Sequence, residues 1–391
     1  MTASTTPNQS SQRGWPALLH RVIRTIRSNR LVEPGQHVLI GISGGPDSVA
    51  LLSVLHRLSR SWHFSLKAAH FNYGLRGRES DQDEQFVRAL CHVLDVPLSV
   101  MALDVRSRAR GTSLQAAARD LRYRALTTMA EEGGADRIAV GHTADDQAET
   151  VLLWMLRGAG LRGLSGMPVS REGKIVRPLY DCSRRQVLDY LAGAGLAYRE
   201  DSSNATPAYT RNRIRQELVP VITRLHPSGV RALCRLADLC REDDGYLEVQ
   251  TAALCAEHIR KDHEGVWVVE RPFVQQLPRA LQRRVVRDLL RRRDPLERAP
   301  SVQKVERVIQ AVMKNGTGRL ALGRSAQILI GAHTIRLMAF GERDPGDVRL
   351  APLSISGQPD KSTATWPGTN QTIRIQHLSR ELVHDIGPRP D

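Results

Sequence analysis

The sequence predicts an α/β protein, with a parallel-sheet N-terminal domain followed by a mainly helical and mixed α+β C-terminal region. Three observations support this fold class. Short apolar runs with the length of buried strands recur in the N-terminal part of the chain, and segments with helical apolar spacing separate them. A glycine-rich turn joins the first run to the helix after it. Because strands that alternate with helices need crossover connections, we expect one parallel sheet covered on both faces.

The first strand and its helix flank the glycine-rich turn. Val38–Ile42 is an apolar run that predicts a buried strand. Pro46 suits the first position of the helix that follows, because no amide donor is needed there. An amphipathic helix, Trp15–Ser28, is predicted ahead of the strand.

Three further strands are predicted, each followed by a helix. The strands are Leu66–Phe71, Leu98–Leu103 and Arg137–Val140, and the helices are Asp81–Leu94, Ser113–Glu132 and Asp145–Leu156. Ligand sites in parallel sheets lie beyond the carboxyl ends of the strands. The segments that should form the site are therefore residues 43–48, 70–79, 104–112 and 141–147.

The C-terminal region gives weaker signals. Helices are predicted at Pro227–Leu247 and Arg279–Arg293, and the second has a dense basic face. Alternation over Leu320–Met338 predicts short strands. Residues 342–368 are rich in Pro, Gly, Ser and Thr and predict a linker. A strand and a short helix are predicted within Ile373–Val383.

The composition narrows the functional classes. The 391 residues carry a formal net charge of +15, which indicates a polyanionic partner, with nucleic acid as the first candidate and a solubility surface as the alternative. No apolar run is long enough to cross a bilayer, and residues 1–13 lack the apolar core of a secretory signal. We expect a cytoplasmic protein without membrane association. The five cysteines form no C-x-x-C pair, which argues against a zinc or iron–sulfur site.

The glycine-rich turn, Ser43-Gly44-Gly45-Pro46-Asp47-Ser48, predicts an anion site, because a strand–turn–helix unit aims N–H groups and a positive helix end at its ligand. We call residues 43–48 the glycine loop. Its sequence lacks the Lys-Ser/Thr pair of a kinase-type phosphate loop and the G-x-G-x-x-G pattern of a dinucleotide-binding fingerprint. Gly41–Gly45 matches the G-x-S-x-G nucleophile elbow, so a hydrolase with Ser43 as nucleophile stays open, as does a plain turn. An aspartate would repel bound phosphates by its charge, but it can hold a Mg²⁺ ion that bridges the carboxylate and the phosphates.

Charged residues also follow the later strands. Asp146 and Glu149 are three apart and share a helix face, where they could bind a metal or an ammonium group. An ordinary acidic first turn would have the same sequence, because the helix dipole favours it. The arginines Arg119, Arg122 and Arg124 suit phosphate contact, although solvated arginines are the default.

The glycine loop resembles the S-G-G-x-D-S loop of the PP-loop ATP pyrophosphatases. Over residues 35–222 the chain further resembles the tRNA(Ile)-lysidine synthases, a bacterial branch of that family, in the order and spacing of several motifs. The matching segments are His70–Arg76, Ala118–Tyr123, Gly141–Thr150, Leu156–Met167, Arg177–Leu179, Glu200–Asn204 and Arg211–Arg215. One departure is Tyr73, where the family usually has a second histidine.

The resemblance implies an adenine nucleotide α-hydrolase-like, Rossmann-like catalytic domain and a domain plan for the chain. The plan comprises a polar tail and helix at 1–34, the ATP-binding catalytic domain at 35–222, a helical and mixed tRNA-binding domain at 223–341, the linker at 342–368 and a tail at 369–391.

The resemblance also implies a ligase that joins free L-lysine to C2 of the wobble cytidine of tRNA(Ile) with a CAU anticodon. ATP would adenylylate the base, and AMP and pyrophosphate would be released. A tRNA thiolase of the same family is the alternative, although such enzymes generally rely on cysteines near the site and Cys182 stands alone.

Roles for individual residues follow from the same resemblance. The ATP-binding set is Ser43, Gly44, Gly45, Pro46, Asp47, Ser48 and His70. Asp47 would hold Mg²⁺, while His142 and Arg119 would stabilise charge on the α-phosphate. Asp146 and Glu149 would bind the lysine. The residues expected to contact tRNA phosphates are Arg211, Arg213 and Arg215. The segment 157–167, with four glycines, would close over the site.

Overall fold

A computed structural model describes residues 15–108, 113–200, 210–292, 300–323 and 326–339, together with two short strands at 362–365 and 372–375. Several predicted features lie outside the described residues. They are the polar tail ahead of residue 15, most of the linker 342–368, the end of the segment 104–112, residues 201–204 of the Glu200–Asn204 motif and the short helix toward Val383.

The chain forms two compact units, Met1–Val249 and Gln250–Asp391. The first unit contains these elements in order: α1 Trp15–Asn29, β1 His37–Gly41, α2 Pro46–Trp62, β2 Ser65–Asn72, α3 Arg78–Val93, β3 Leu98–Ala102, α4 Val105–Arg108, α5 Leu114–Glu132, β4 Arg137–Ala139, α6 Ala144–Leu156, α7 Leu161–Leu164, β5 Ser170–Arg171, β6 Ile175–Val176, α8 Arg184–Gly193, α9 Thr210–Arg213, a π-helical turn Ile214–Leu218 and α10 Val219–Leu225. Helix α11, Gly229–His258, begins in the first unit and ends in the second.

The sheet of the first unit has the strand order β3-β2-β1-β4-β6-β5. Every neighbouring pair is parallel except β5 and β6 at one edge, so the predicted parallel sheet is confirmed. The strand order reverses at β1, which lies between β2 and β4. The crevice at such a switch point is where α/β sheets bind their ligands.

Helices cover both faces of this sheet, as the alternation of strands and helices in the sequence predicts. Val38 and Ile40 of β1 face a core that α1, α2, α3 and α8 complete. Leu39 faces the opposite side, where Leu126 and Ala130 of α5 are buried. This alternation arises because successive side chains on a strand point to opposite faces.

Two helices differ from their predicted bounds. Helix α3 begins at Arg78 rather than Asp81, because Gly77 at φ +54° ends the preceding turn early. Helix α11 begins at Gly229 rather than Pro227 and continues past Leu247 to His258. The compact units divide after Val249, since the first half of α11 is bonded to the first unit, and the predicted domain boundary at residue 222 falls within that unit.

The second unit contains β7 Ile259–Lys261, β8 Trp267–Glu270, α12 Arg271–Gln276, α13 Arg279–Arg291, α14 Val302–Met313, β9 Gly318–Ala321, β10 Ala326–Ile330 and β11 Thr334–Ala339. Its antiparallel sheet has the order β7-β8-β11-β10-β9, which confirms the predicted short strands. On the basic face of α13, Arg279 and Arg283 both pair with Glu306 of α14, so part of that face is neutralised.

Strands β12 Ser362–Thr365 and β13 Thr372–Ile375 pair as an antiparallel ribbon. Strand β12 falls inside the segment predicted as a linker, because its alternating Ser, Thr and Ala residues find a partner strand across a short connection. Among the described residues, no helix is both long and apolar enough to span a membrane.

Candidate active site

The glycine loop follows β1 at the switch point of the sheet. Gly44 has φ +88°, a left-handed conformation that other residues rarely adopt. Helix α2 then begins at Pro46, and Gly45 at its N-cap provides no side chain to cap the helix. The positive end of α2 is thus presented by a backbone that a ligand can approach closely, which suits a phosphate.

Two serines fix the shape of the loop. The Ser48 hydroxyl accepts a hydrogen bond from the Ser43 N–H at 3.2 Å and donates one to the Gly45 carbonyl at 2.9 Å. The Ser43 hydroxyl lies 3.2 Å from that of Ser48. His70, which the sequence assigned to the ATP site, uses Nδ1–H to donate to the Ile42 carbonyl at 2.9 Å. Ser43 is therefore bonded to another hydroxyl rather than to a histidine base, which argues against the hydrolase alternative.

Asp47 is the unusual group of the loop. Its Oδ1 is buried without a hydrogen-bond partner, and Arg184 donates to its Oδ2 at 3.4 Å. Burial and then the charge of Asp146 raise the pKa of Asp47 to about 7. An orphaned carboxylate oxygen is a suitable ligand for Mg²⁺, which prefers hard oxygen donors. Within the described ranges no cluster of three His, Cys, Asp or Glu residues could hold a metal, so Mg²⁺ here would need the oxygens of a phosphate ligand as well.

The loop after β4 packs directly on the start of α2. A Cβ atom at Gly141 would lie 3.0 Å from the backbone carbon and oxygen of Asp47 and 3.1 Å from the Ser48 nitrogen. A side chain at position 141 would therefore force the neighbouring backbone to shift by a few tenths of an ångström. The two segments predicted beyond β1 and β4 therefore form one site.

Positive charge surrounds His142 in that loop. The Arg177 Nε–H donates to His142 Nδ1 at 3.3 Å, which leaves the proton of the neutral ring on Nε2. Desolvation lowers the pKa of His142 well below its usual value, and the charges of Arg177, Arg119 and Arg122 act in the same direction. We call these three residues the arginine cluster.

The positive charges of the arginine cluster repel one another, and a bound anion would reduce this repulsion. Burial and the neighbouring charges of Arg122, Arg211 and Arg177 lower the pKa of Arg119. Its guanidinium lies over the ring of Tyr123, 5.1 Å from the centroid. Cations held this close favour a bound phosphate. Burial raises the pKa of Tyr73, at the position of the family's second histidine, and the neighbouring charge of Arg122 opposes that shift, so Tyr73 lies beside this cluster.

The side chain of Asp146 both caps helix α6 and accepts hydrogen bonds from arginines of the site. Its Oδ2 accepts hydrogen bonds from the Thr143 N–H at 2.9 Å and from the Thr143 hydroxyl at 3.0 Å, which forms a capping box for α6. Its Oδ1 accepts from Arg211 at 3.0 Å and from Arg215 at 3.2 Å. Burial would raise the pKa of Asp146, but His142, Arg211, Thr143 and Arg215 outweigh it and lower the pKa.

Glu149 meets the same two arginines. Arg211 Nε lies 2.9 Å from its Oε2, and Arg215 Nε lies 2.5 Å from its Oε1. Arg213 instead points away, is exposed and pairs with Glu217 at 3.1 Å. The structure thus brings together two residue groups that the sequence had assigned to different ligands. We call Asp146 and Glu149 the acidic pair.

Sequence reasoning missed three arginines that support the site. Arg177 follows β6 directly, so the rule on carboxyl ends of strands could have identified it. Arg184 contacts Asp47 through its side chain and Asp145 through its backbone N–H, at 2.7 Å. Arg241 of α11 lies beyond all the predicted motifs, and no local signal marks it.

Arg241 fixes the end of the segment 157–167. It donates to the carbonyls of Ser165 and Met167, the latter at 3.0 Å. Gln147 of α6 accepts from the Met167 N–H at 2.8 Å, and Gly166 packs so closely on Gln147 that a Cβ there would lie 2.6 Å from its side chain. The C-terminal end of the segment is therefore anchored to α6 and α11.

The cysteines show no sign of a thiolate site. All five are free thiols, and burial raises the pKa of Cys182 and of Cys234 to about 12. A buried thiol with a raised pKa is a poor nucleophile and a poor metal ligand. This argues against the thiolase alternative.

Comparison with known proteins connects this geometry to a family. A profile for the PP-loop domain matches residues 18–222. Proteins named tRNA(Ile)-lysidine synthase are similar to the chain: that of Geobacter sulfurreducens is 36% identical over 90% of this chain and 74% of its own length. The one from Symbiobacterium thermophilum is 39% identical over 75% of this chain and 63% of its own length. The one from Porphyromonas gingivalis is 45% identical over 56% of this chain.

The chain spans about half to three quarters of the length of these relatives. Among solved structures, the U34-tRNA thiolase NcsA from Methanococcus maripaludis, determined with its [4Fe-4S] cluster, is similar over 59% of this chain and 80% of its own, with a TM-score of 0.52 and 18% identity. At that identity the similarity concerns the fold alone.

Proposed function

Because this chain belongs to the tRNA(Ile)-lysidine synthase branch of the PP-loop family, we propose that it ligates L-lysine to the wobble cytidine of tRNA(Ile) with a CAU anticodon. The cytidine C2 oxygen attacks the α-phosphate of ATP, and pyrophosphate leaves. The ε-amine of lysine then bonds to C2 and loses a proton, while the C2–O bond breaks and the oxygen departs with AMP.

The glycine loop is the proposed pyrophosphate site. Its left-handed Gly44 and the uncapped start of α2 provide the backbone donors and the positive helix end that the leaving group needs. Asp47 is proposed to hold Mg²⁺ through its unpartnered Oδ1. The bound ion would neutralise charge on the phosphates.

The arginine cluster and His142 are proposed to bind the α-phosphate. The neutral His142 ring carries its proton on Nε2, so it donates a hydrogen bond without adding charge. Arg119 and Arg177 provide the positive charge. Donors that are already in place before charge develops stabilise a transition state at little cost in reorganisation.

The acidic pair is proposed to bind the lysine. Glu149 is only 1% exposed, so a cation that reaches it is shielded from water and bound strongly. A carboxylate beside the amine can also accept the proton lost during attack. The exposed Arg213 is proposed to contact tRNA phosphates, and so are Arg211 and Arg215 once they leave their acidic partners.

The observation that carries this proposal is the juxtaposition of two sites of opposite charge. The arginine cluster and the acidic pair meet where the loop after β4 enters α6, because His142 lies in that loop and Asp146 lies in the first turn of the helix. An adenylylated base and an amine require such a pair of neighbouring sites.

The test mixes the protein with ATP, labelled lysine and an isoleucine tRNA transcript that has a CAU anticodon. We expect AMP, pyrophosphate and tRNA-bound lysine. The matched control is the same transcript with U at the wobble position, which should remain unlabelled. Release of ADP, or labelling of the control, would count against the proposal.

A further inference from the structure

The proposed lysine site is filled by the protein itself. Each of the four oxygens of the acidic pair already accepts a hydrogen bond. Thr143 occupies Oδ2 of Asp146, both arginines share Oδ1, and each arginine takes one oxygen of Glu149. A guanidinium carries the same charge as an ammonium group. Arg211 and Arg215 therefore occupy the position that a lysine amine would take.

The charges of the acidic pair are also balanced by the two arginines. Two carboxylates face two guanidinium groups, so an added ammonium would enter a neutral, largely buried cluster. It would lose hydration without gaining an unpaired partner. Lysine can bind the acidic pair only if the arginines move.

The arginines are placed so that a ligand can reach them. Their side chains are 33% and 31% exposed, whereas those of Glu149 and Asp146 are 2% and 11% exposed. Arg215 lies on the π-helical turn, closed by a hydrogen bond from the Val219 N–H to the Ile214 carbonyl. Such turns are rare and occur frequently at functional sites. A change to α-helical bonding there would redirect Arg215 relative to Arg211.

We propose that Arg211 and Arg215 are exchangeable counter-ions that keep the acidic pair closed to lysine until the phosphates of a bound tRNA draw them away. This inference rests on the proposed function. Arginine forms bidentate pairs with phosphate as readily as with carboxylate, so the two partners compete for the same guanidinium groups. The amine site then opens only where tRNA is present.

Thermodynamic linkage makes the idea measurable in the unmodified protein. If tRNA opens the acidic pair, it strengthens lysine binding, and lysine must strengthen tRNA binding by the same factor. We expect a factor of at least about ten, within the range usual for coupled sites. Equilibrium dialysis of labelled lysine, with and without the CAU transcript and without ATP, measures the first effect. Filter binding of the transcript with and without lysine measures the second.

Substitutions provide an independent test. The double variant Arg211→Gln, Arg215→Gln should bind lysine at least about ten-fold more tightly than the wild type in the absence of tRNA, and tRNA should no longer increase that affinity. The matched control is Arg224→Gln, an exposed arginine on α10, whose tRNA-free lysine binding should equal that of the wild type. Circular dichroism establishes that each variant is folded. If the double variant does not fold, the dialysis and filter-binding measurements on the wild type still test the proposal.

Two outcomes would overturn the proposal. One is equal lysine affinity of the wild type with and without tRNA. The other is a folded double variant that binds lysine no better than the wild type. The ligation assay separates these from a failure of the proposed function: a wild type that attaches lysine to tRNA yet shows no linkage refutes the counter-ion exchange alone.

Discussion

Gly141 lies directly against Asp47, so close that a Cβ atom at position 141 would come within 3.0 Å of the Asp47 carbonyl carbon and oxygen. This contact joins the loops that follow β1 and β4. It sets the distance between the carboxylate proposed to hold Mg²⁺ and the loop that carries His142.

Gly141→Ala should therefore separate the two loops. Because the neighbouring atoms are backbone, either the loop or the start of α2 must shift. Displacement of a reacting group by about 1 Å can lower turnover roughly 100-fold, and the shift needed here is a few tenths of an ångström. We expect a measurable but smaller loss in lysine incorporation from a folded protein. Gly245→Ala is the matched control, since its Cβ meets open space within α11. Equal activity of both variants would show that the contact is not needed.

Asp47 should make stability depend on pH. Burial raises its pKa from 3.8 to about 7, so the folded state binds the proton more tightly than the unfolded state. Stability contributed by the protonated form is fully present below about pH 4 and is lost as pH rises toward 7. Asp47→Asn should then be more stable than the wild type at pH 8, by up to about 4 kcal/mol, with little difference at pH 4. Urea unfolding at both values measures this.

The control for that experiment is Asp189→Asn, an exposed carboxyl group on α8. Any pH dependence that the two variants share is then subtracted from the effect of Asp47→Asn. A pH-independent effect of Asp47→Asn would contradict the raised pKa. The same variant should lose pyrophosphate release in the ligation assay, and retained turnover would refute the proposed metal role of Asp47.

Glu149→Gln should weaken lysine binding selectively. Glu149, unlike Asp146, does not cap α6, so its loss tests the cation site without removing a helix cap. We expect the KM for lysine to rise at least about ten-fold, as for loss of a charged hydrogen bond, while the KM for ATP changes little. Initial rates at varied lysine and varied ATP distinguish the two. Similar increases in both constants would count against the lysine assignment. Asp146→Ala should act in the same direction but also destabilise α6.

Arg241→Gln should loosen the end of the segment 157–167. The substitution removes charged hydrogen bonds to the carbonyls of Ser165 and Met167, each worth about 1.5–3 kcal/mol. Faster amide hydrogen exchange over 157–167 is expected, together with a lower kcat. Arg231→Gln, an exposed position on the same helix, is the control. Unchanged exchange in Arg241→Gln would show that α11 does not anchor the segment.

The local architecture of the site can be predicted from neighbouring residues alone. A five-residue apolar run, two glycines and a proline are sufficient to specify strand, loop and helix start around residues 38–46, because each choice acts on its own backbone. The regular alternation of strands and helices likewise determined a parallel sheet, and with it the edge at which Asp47, His142 and Asp146 gather.

Which charged side chains pair with each other follows from the folded arrangement of the chain. Arg211 and Arg215 lie more than sixty positions from Glu149 along the chain, and Arg241 lies 74 positions from Met167. Composition and spacing record the sign of each charge but not its partner, since a guanidinium suits a carboxylate and a phosphate equally well. The choice depends on which helices pack side by side, and that is a property of the folded chain as a whole.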